Sequence, residues 1–132
     1  YPALISKIEN AKIKNKKKII IWGNGKSKRE LMYVDDLADA CEFFLKKKTK
    51  DTLINIGSGN ENTILGFANF IMRKMNVNLK IDFDKSKPNG TPRKILNTKL
   101  AESYGWKSKI NLSKGFDLVF QDFKKNKSII NI

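Results

Sequence analysis

Apolar residues recur at the three-to-four-residue spacing of a buried helix face in four segments of the chain. A fifth, shorter helix is predicted between Asn97 and Gly105. Each helix follows a residue that favours a helix start, because proline has a suitable φ and Ser, Thr, Asn and Asp offer a capping oxygen. The residues predicted to begin the helices are Pro2, Asp35 or Asp36, Thr63, Asn97, and Asn111 or Ser113. The second helix is expected to run to about Leu45.

Three short segments have the patterns of strands. Residues 19–22 and 53–56 are apolar runs that end at glycine-containing turns, and residues 79–83 alternate apolar and polar side chains. A polar loop with two prolines follows at residues 84–94. The mixture of strands and helices with short connections predicts an α/β fold.

The chain, residues 1–132, has the length of one domain, with a tail that we expect to fray from about Lys124. It begins with Tyr1, so we expect it to be a piece of a longer polypeptide. No apolar stretch reaches the length of a membrane span and no signal-peptide pattern is present, which favours no membrane partner and a cytoplasmic location. Cys41 lies on the apolar side of the second predicted helix, where we expect it to be buried.

The net charge of +14 indicates, by itself, a nucleic-acid partner. The basic residues are, however, 24 Lys and only 3 Arg, and the main lysine-rich run, residues 14–18, contains no aromatic side chain to stack a base. We therefore expect a solvated basic surface and no nucleic-acid partner. A basic module that binds anions or nucleic acid stays open as an alternative class.

The chemistry of common active sites is missing from this sequence. There is no histidine, and one cysteine cannot make a zinc site. Gly25-Lys26-Ser27 is similar to the end of a P-loop, but Ile20 stands where that motif needs its first glycine. No Gly-x-Gly-x-x-Gly follows a strand. We expect no catalytic, metal-ligating or cofactor-binding residue in this chain.

Two of the three arginines are candidates for ligand binding, because a planar bidentate fork is the property that lysine cannot supply. Arg29 follows the glycine turn, and Arg93 lies beside Lys94 in the proline-containing loop. Trp22, at the end of the first strand, is either a core residue or a cover over a sugar or base. The carboxylates that could pair with Arg29 instead are those of Glu30 and Asp36.

One broad motif resembles the C-terminal part of the extended short-chain dehydrogenase/reductases that modify nucleotide sugars. The motif consists of Arg-Glu at 29–30, Tyr-Val-Asp-Asp-Leu-Ala at 33–38 and Ile-Asn-Ile-Gly-Ser-Gly at 54–59. Two sharper stretches are similar to the GDP-L-fucose synthase family. They are Trp-Gly-Asn-Gly at 22–25 with Arg29, and Lys-Pro-Asn-Gly-Thr-Pro-Arg-Lys at 87–94. The resemblance covers essentially the whole chain.

The resemblance implies the C-terminal substrate-binding lobe of an enzyme that epimerises and reduces GDP-4-dehydro-6-deoxy-D-mannose to GDP-L-fucose. It implies NADP(H) as the cofactor, bound by an N-terminal Rossmann half that this chain lacks, and catalytic groups that lie upstream of Tyr1. The implied partner is a GDP-linked deoxy-keto sugar, and the parent enzyme is expected to be a homodimer. A related enzyme acting on another GDP-linked 4-keto sugar is the alternative.

Carried over by position, the resemblance implies six substrate-binding residues. Lys7, Trp22 and Arg29 match substrate-contacting sites, and Arg93 and Lys94 lie where basic groups would neutralise the diphosphate. The sixth, Asn89, could hydrogen-bond a ribose or base edge. Two of them depart from the family pattern, since Lys7 stands where an arginine is usual and Asn89 where an aspartate is usual.

Overall fold

The computed structural model describes residues 1–126, which contain five helices and five short strands. The elements are α1 (Pro2–Ile13), β1 (Lys18–Trp22), β2 (Lys28–Glu30), α2 (Val34–Lys46), β3 (Glu61–Thr63), α3 (Ile64–Lys74), β4 (Lys80–Asp84), β5 (Arg93–Lys94), α4 (Lys99–Ser103) and α5 (Leu112–Lys125). These residues form two compact units: unit 1 contains Tyr1–Arg29 and Glu61–Lys94, and unit 2 contains Glu30–Asn60 and residues 95–126.

The core of unit 1 lies between helices α1 and α3 and one face of the β1–β4 sheet. Strands β1 and β4 pair in parallel, from Lys18 opposite Lys80 to Trp22 opposite Asp84. Side chains alternate along β1, so that Ile19 and Ile21 are buried while their neighbours are exposed. The buried helical residues of unit 1 are Ile5, Ile8 and Ala11 of α1 and Phe67, Ala68, Ile71 and Met72 of α3.

A second sheet has the strand order β3–β2–β5. Strands β2 and β5 are parallel, with Lys28 opposite Arg93 and Arg29 opposite Lys94. The turn that enters β2 is held at the start of α3, where Ile64 N donates to Ser27 O at 3.0 Å and Leu65 N donates to Gly25 O at 3.0 Å. These bonds hold the predicted glycine turn against the first residues of α3.

Unit 2 is built around Ala40, Ala101 and Trp106, which are almost completely buried. The Trp106 indole donates to Asp39 at 2.9 Å, which ties α2 to the segment after α4. Helix α5 begins at the N-cap Asn111, whose side-chain oxygen accepts from Lys114 N at 2.9 Å. The predicted helix starts at Pro2, Thr63 and Asn111 are therefore confirmed.

Three expectations are wrong. Helix α2 begins at Val34 after Tyr33, and Asp36 is buried inside it instead of capping it. Residues 53–56 form no strand in the described structure, and the side chain of Leu53 is 77% exposed. Cys41 is exposed, because α2 packs its Ala40 side on the core and turns Cys41 away from it.

The expected frayed tail lies largely outside the described residues. Helix α5 includes Lys124 and ends at Lys125, so the described part of that segment is helical. None of the helices within residues 1–126 is long and apolar enough to cross a membrane.

Candidate functional site

The glycine turn begins where β1 ends, and its backbone is specified by close packing. Gly23 and Gly25 have φ values of +74° and +70°, which glycine adopts without strain. A Cβ at Gly23 would lie 2.6 Å from the side-chain oxygen of Asn89, and one at Gly25 would lie 2.5 Å from the Phe83 ring. Protein atoms therefore fill the space beside both glycines.

Four hydrogen bonds join this turn to the proline-containing loop, the first of them from Gly23 N to Asp84 O at 2.9 Å. Asn24 N donates to Asn89 Oδ1 at 2.7 Å, and the buried Ser27 hydroxyl donates to Asn89 O at 2.8 Å. Lys28 N donates to Pro92 O at 2.8 Å. Residues 22–29 and 84–94, the two stretches singled out by the sequence, thus form one surface, which we call the turn–loop surface.

Four basic residues lie on the paired strands of this surface, and the pleat divides them into two pairs. Opposed residues in neighbouring strands share a face, and successive residues point to opposite faces. Lys28 and Arg93 share one face, where both donate to Glu61, at 3.0 Å and 2.6 Å. Arg29 and Lys94 share the other. Hydrogen bonds from Arg93 and then Lys28 hold the pKa of Glu61 below its ordinary value.

Arg29 carries a charge that no carboxylate in residues 1–126 neutralises through an ion pair. Its Nη1 donates to the carbonyl oxygen of Lys28 at 2.6 Å, and its Nη2 lies 3.4 Å from where a Cβ would stand at Gly90. The carboxylates suggested as alternative partners have other donors. Glu30 accepts from Gly59 N at 2.6 Å and Leu96 N at 3.0 Å.

Asp36, the other acid considered for Arg29, accepts three hydrogen bonds within unit 2. The donors are the hydroxyl of Ser108 at 2.6 Å, Ile110 N at 2.9 Å and Lys109 N at 3.1 Å. Burial raises the pKa of Asp36, but these hydrogen bonds outweigh it and hold that pKa below its ordinary value. Glu30 and Asp36 thus accept hydrogen bonds from groups other than Arg29, and ligand binding by Arg29 stays a prediction.

Trp22 is 66% exposed, so the interpretation of this residue as a core tryptophan is wrong. The Lys87 ammonium lies 5.6 Å from the centre of its ring, within cation–π distance. An exposed indole beside a lysine offers a flat apolar surface with a cation at its edge. Such a surface suits a base or sugar that carries phosphate.

Lys7 lies on α1, outside the turn–loop surface that contains the other candidates. Its ammonium donates to the carbonyl oxygen of Ile20 at 2.7 Å. Within residues 1–126, no hydrogen bond or ion pair links Lys7 to the turn–loop surface. The structure thus brings together five of the six predicted residues and leaves Lys7 engaged beside β1.

Two residues that hold this surface in place, Glu61 beside it and Ser27 within it, are not among the predicted site residues. Glu61 neutralises Arg93 and Lys28, and Ser27 fastens the loop from a nearly buried position. No local signal could have identified Glu61, because its role depends on strand pairing across more than 30 residues. Among the described residues, no group of three His, Cys, Asp or Glu side chains could hold a metal ion.

The α/β fold of this chain is that of the extended short-chain dehydrogenase/reductases. Residues 1–57 match the NAD dependent epimerase/dehydratase family. A GDP-mannoheptose C4 reductase from Campylobacter jejuni, solved with NADP bound, superposes with a TM-score of 0.76 at 28% identity, over 93% of this chain and 44% of that one. A GDP-L-fucose synthetase from Naegleria fowleri superposes with a TM-score of 0.83 at 20% identity, over 96% of this chain and 39% of that one.

In sequence, the chain is similar to GDP-L-fucose synthases. That of Sinorhizobium fredii is 41% identical over 95% of this chain, and GDP-L-fucose synthase 1 of Arabidopsis thaliana is 37% identical over the same share. The chain spans about 40% of the length of these two relatives. The resemblance to the C-terminal part of GDP-L-fucose synthase is therefore confirmed.

Proposed function

We propose that this chain is the GDP-sugar-binding part of an NADPH-dependent epimerase/reductase that converts GDP-4-dehydro-6-deoxy-D-mannose to GDP-L-fucose. The names of its relatives support the reaction class, since both curated relatives above are GDP-L-fucose synthases. In this proposal the chain binds the nucleotide part of the substrate, chiefly through its diphosphate. The homodimer and the cytoplasmic location remain predictions.

The observation that carries this proposal is the pair of cations formed by Arg29 and Lys94. The two residues are opposite each other on parallel strands, and no described carboxylate forms an ion pair with either. Gly90 passes beside the Arg29 guanidinium with a φ of +68°, so no side chain covers it from that direction. A guanidinium fork with a neighbouring ammonium suits a diphosphate, and Trp22 supplies a surface for the rest of the ligand.

Arg93 and Lys7 have weaker claims as ligand contacts. Arg93 points to the face occupied by Glu61, which compensates its charge, and the Lys7 ammonium is bound to a backbone carbonyl. We expect both to contribute less to diphosphate binding than Arg29 and Lys94. The side-chain oxygen of Asn89 is already engaged within the protein, by Asn24 N.

NADP(H) does not fit the one glycine turn that follows a strand in unit 1. The space beside Gly23 and Gly25 is filled by Asn89 and Phe83, so this turn offers no cradle for a dinucleotide diphosphate. We therefore do not assign the NADP(H) of the proposed enzyme to this turn.

A second candidate is a related enzyme that acts on a different GDP-linked 4-keto sugar. The observation that favours it is a GDP-L-colitose synthase from Yersinia pseudotuberculosis, which is 35% identical over 96% of this chain and 42% of that one. Lys7 also departs from the arginine usual in the fucose synthase family. Turnover of two GDP-4-keto-6-deoxy sugars, one with and one without a C3 hydroxyl, by the protein that carries this chain would separate the two.

Calorimetric titration of the chain with GDP and with a single-stranded oligonucleotide tests the proposal. We expect GDP to bind to the chain. Arg29→Gln should lower the affinity for GDP roughly tenfold to hundredfold, because charge-assisted hydrogen bonds are lost. The matched control is Arg73→Gln, since Arg73 is an exposed arginine on α3, outside the turn–loop surface. Salt-sensitive oligonucleotide binding without any response to GDP would contradict the proposal and favour a nucleic-acid-binding module.

A further inference from the structure

Asn89 accepts two of the four hydrogen bonds that join the glycine turn to the proline-containing loop. Its side-chain oxygen accepts from Asn24 N at 2.7 Å, and its main-chain oxygen accepts from the Ser27 hydroxyl at 2.8 Å. Ser27 is only 6% exposed, so this second bond lies largely out of water. Both ends of the glycine turn are thus attached to a single residue of the loop.

The position of Asn89 links these attachments to the diphosphate cations. Gly90 follows it directly and passes 3.4 Å from the Arg29 guanidinium, measured from the site of an added Cβ. Four residues further on is Lys94, opposite Arg29 in the sheet. A displacement of Asn89 would therefore move Gly90 and Lys94 relative to Arg29, because the chain between them is short.

The contacts of Asn89 require a hydrogen-bond acceptor and make no use of the amide NH2. Asn24 N is a donor, and the side-chain oxygen of Asn89 also lies close to Gly23, where a Cβ would be 2.6 Å away. An aspartate has the same shape and offers an oxygen at the same place. This explains physically why an asparagine can stand where the family pattern has an aspartate.

We propose that Asn89 is a positioning residue, which fastens the loop to the glycine turn through its two oxygens and so sets the spacing of Arg29 and Lys94 for a diphosphate. The inference rests on the proposed function, because it assumes that this pair binds the diphosphate. It differs from the family-based expectation, in which the side chain at 89 contacts ribose or base. The two roles predict different ligand dependences.

Inorganic pyrophosphate, GDP and UDP distinguish these roles, because pyrophosphate has neither ribose nor base. We expect Asn89→Leu to lower the affinities for pyrophosphate and for GDP by a common factor of about fivefold or more. This is the effect that the loss of an ordinary hydrogen bond would have. Asn89→Asp is expected to leave the ratio of the GDP and UDP affinities unchanged, since the added charge acts on both nucleotides alike. The control is Asn78→Leu, an exposed asparagine before β4.

Ser27→Ala provides a second route that leaves the side chain at 89 intact. This substitution removes only the hydrogen bond from the Ser27 hydroxyl to Asn89 O. We expect the affinities for pyrophosphate and for GDP to fall by a common factor of about threefold to fivefold. Its control is Ser86→Ala, whose hydroxyl is bonded within the loop to Asp84 at 2.6 Å. If Asn89→Leu does not fold, as judged by circular dichroism, Ser27→Ala decides the question.

The outcomes separate this inference from the proposed function. If the unaltered chain binds neither GDP nor pyrophosphate, both are overturned. If the unaltered chain binds both ligands but Ser27→Ala leaves their affinities unchanged, only the positioning role is overturned. A change in the GDP-to-UDP ratio in Asn89→Asp would also overturn it, because that result assigns the side chain to base recognition.

Discussion

Replacement of Asp36 by alanine should destabilise unit 2 strongly for a single substitution. The side chain is 3% exposed, and it accepts hydrogen bonds from Ser108, Lys109 and Ile110. The two backbone amides cannot turn towards another acceptor, and each costs at least about 1 kcal/mol when left unpaired. The Ser108 hydroxyl can rotate towards another acceptor, so its lost hydrogen bond adds less to the destabilisation. We expect the free energy of unfolding to fall by about 2–3 kcal/mol.

The pH dependence of this effect has a definite sign. The folded pKa of Asp36 is lowered, so the stability that its charge contributes is present above the ordinary aspartate value of 3.8. It is lost as the pH falls through the lower folded value. Asp36→Asn keeps an acceptor oxygen but lacks the charge, so its stability deficit should be present at pH 6 and shrink at pH 3.

Urea unfolding monitored by Trp106 fluorescence measures this quantity for unit 2. Trp106 is 2% exposed, whereas the only other tryptophan, Trp22, lies in unit 1 and is removed by Trp22→Phe in the background chain. Asp35→Ala is the control, because Asp35 is an exposed acid in the same helical turn and should cost less than about 1 kcal/mol. If Asp36→Ala lowers the free energy of unfolding by less than about 0.5 kcal/mol, the unpaired donors do not carry the cost assigned to them, and the reasoning is refuted.

Three further predictions concern single positions. Gly23→Ala should destabilise unit 1 by at least about 1 kcal/mol in urea unfolding, because its φ is +74° and the added Cβ would lie 2.6 Å from the Asn89 side chain. The pKa of Glu61, followed by carbon NMR of its carboxyl group, should lie below 4.5 and rise towards that value in Arg93→Gln, since the Arg93 hydrogen bond is the largest cause of the shift. Cys41 should react with iodoacetamide in the native state about as fast as an exposed thiol, because its side chain faces away from the core.

Each of these three predictions has a matched control variant or an outcome that would contradict it. Gly115→Ala, where neighbours are no closer than 3.7 Å, should leave stability unchanged or raise it, since Gly115 is helical. Lys28→Gln should raise the pKa of Glu61 less than Arg93→Gln does, and an equal effect would contradict the assigned order. Alkylation of Cys41 only after denaturant is added would show that the thiol is buried.

Local patterns predicted the helices well, because caps and apolar spacing act over a few residues. Thr63 caps α3 as expected, with its hydroxyl oxygen accepting from Gly66 N at 2.9 Å. Pairing partners were harder to predict. Residues 53–56 have a strand pattern, but a strand needs a neighbour to satisfy its backbone groups, and no described strand pairs with this segment. The pattern alone could not supply that neighbour.

Asp36 shows a second limit of local reasoning. An aspartate ahead of an apolar helical stripe is a standard capping pattern, which predicted Asp35 or Asp36 as the first residue outside the helix. The structure extends α2 by one residue beyond both, because the Asp36 carboxylate is engaged more than 70 residues away, by the segment before α5. Three donors that converge on one buried oxygen outweigh a single cap bond.

The turn–loop surface also shows why a basic motif cannot be interpreted residue by residue along the chain. Lys28-Arg29 and Arg93-Lys94 are adjacent pairs in the sequence, so both members seem equally available to a ligand. Once each pair lies on a strand, the period of two sends its members to opposite faces. One member of each pair forms an ion pair with Glu61, and the other member forms none with a described carboxylate. The register of β2 against β5 therefore places Arg29 on the same face as Lys94, although Arg93 stands next to Lys94 in the chain.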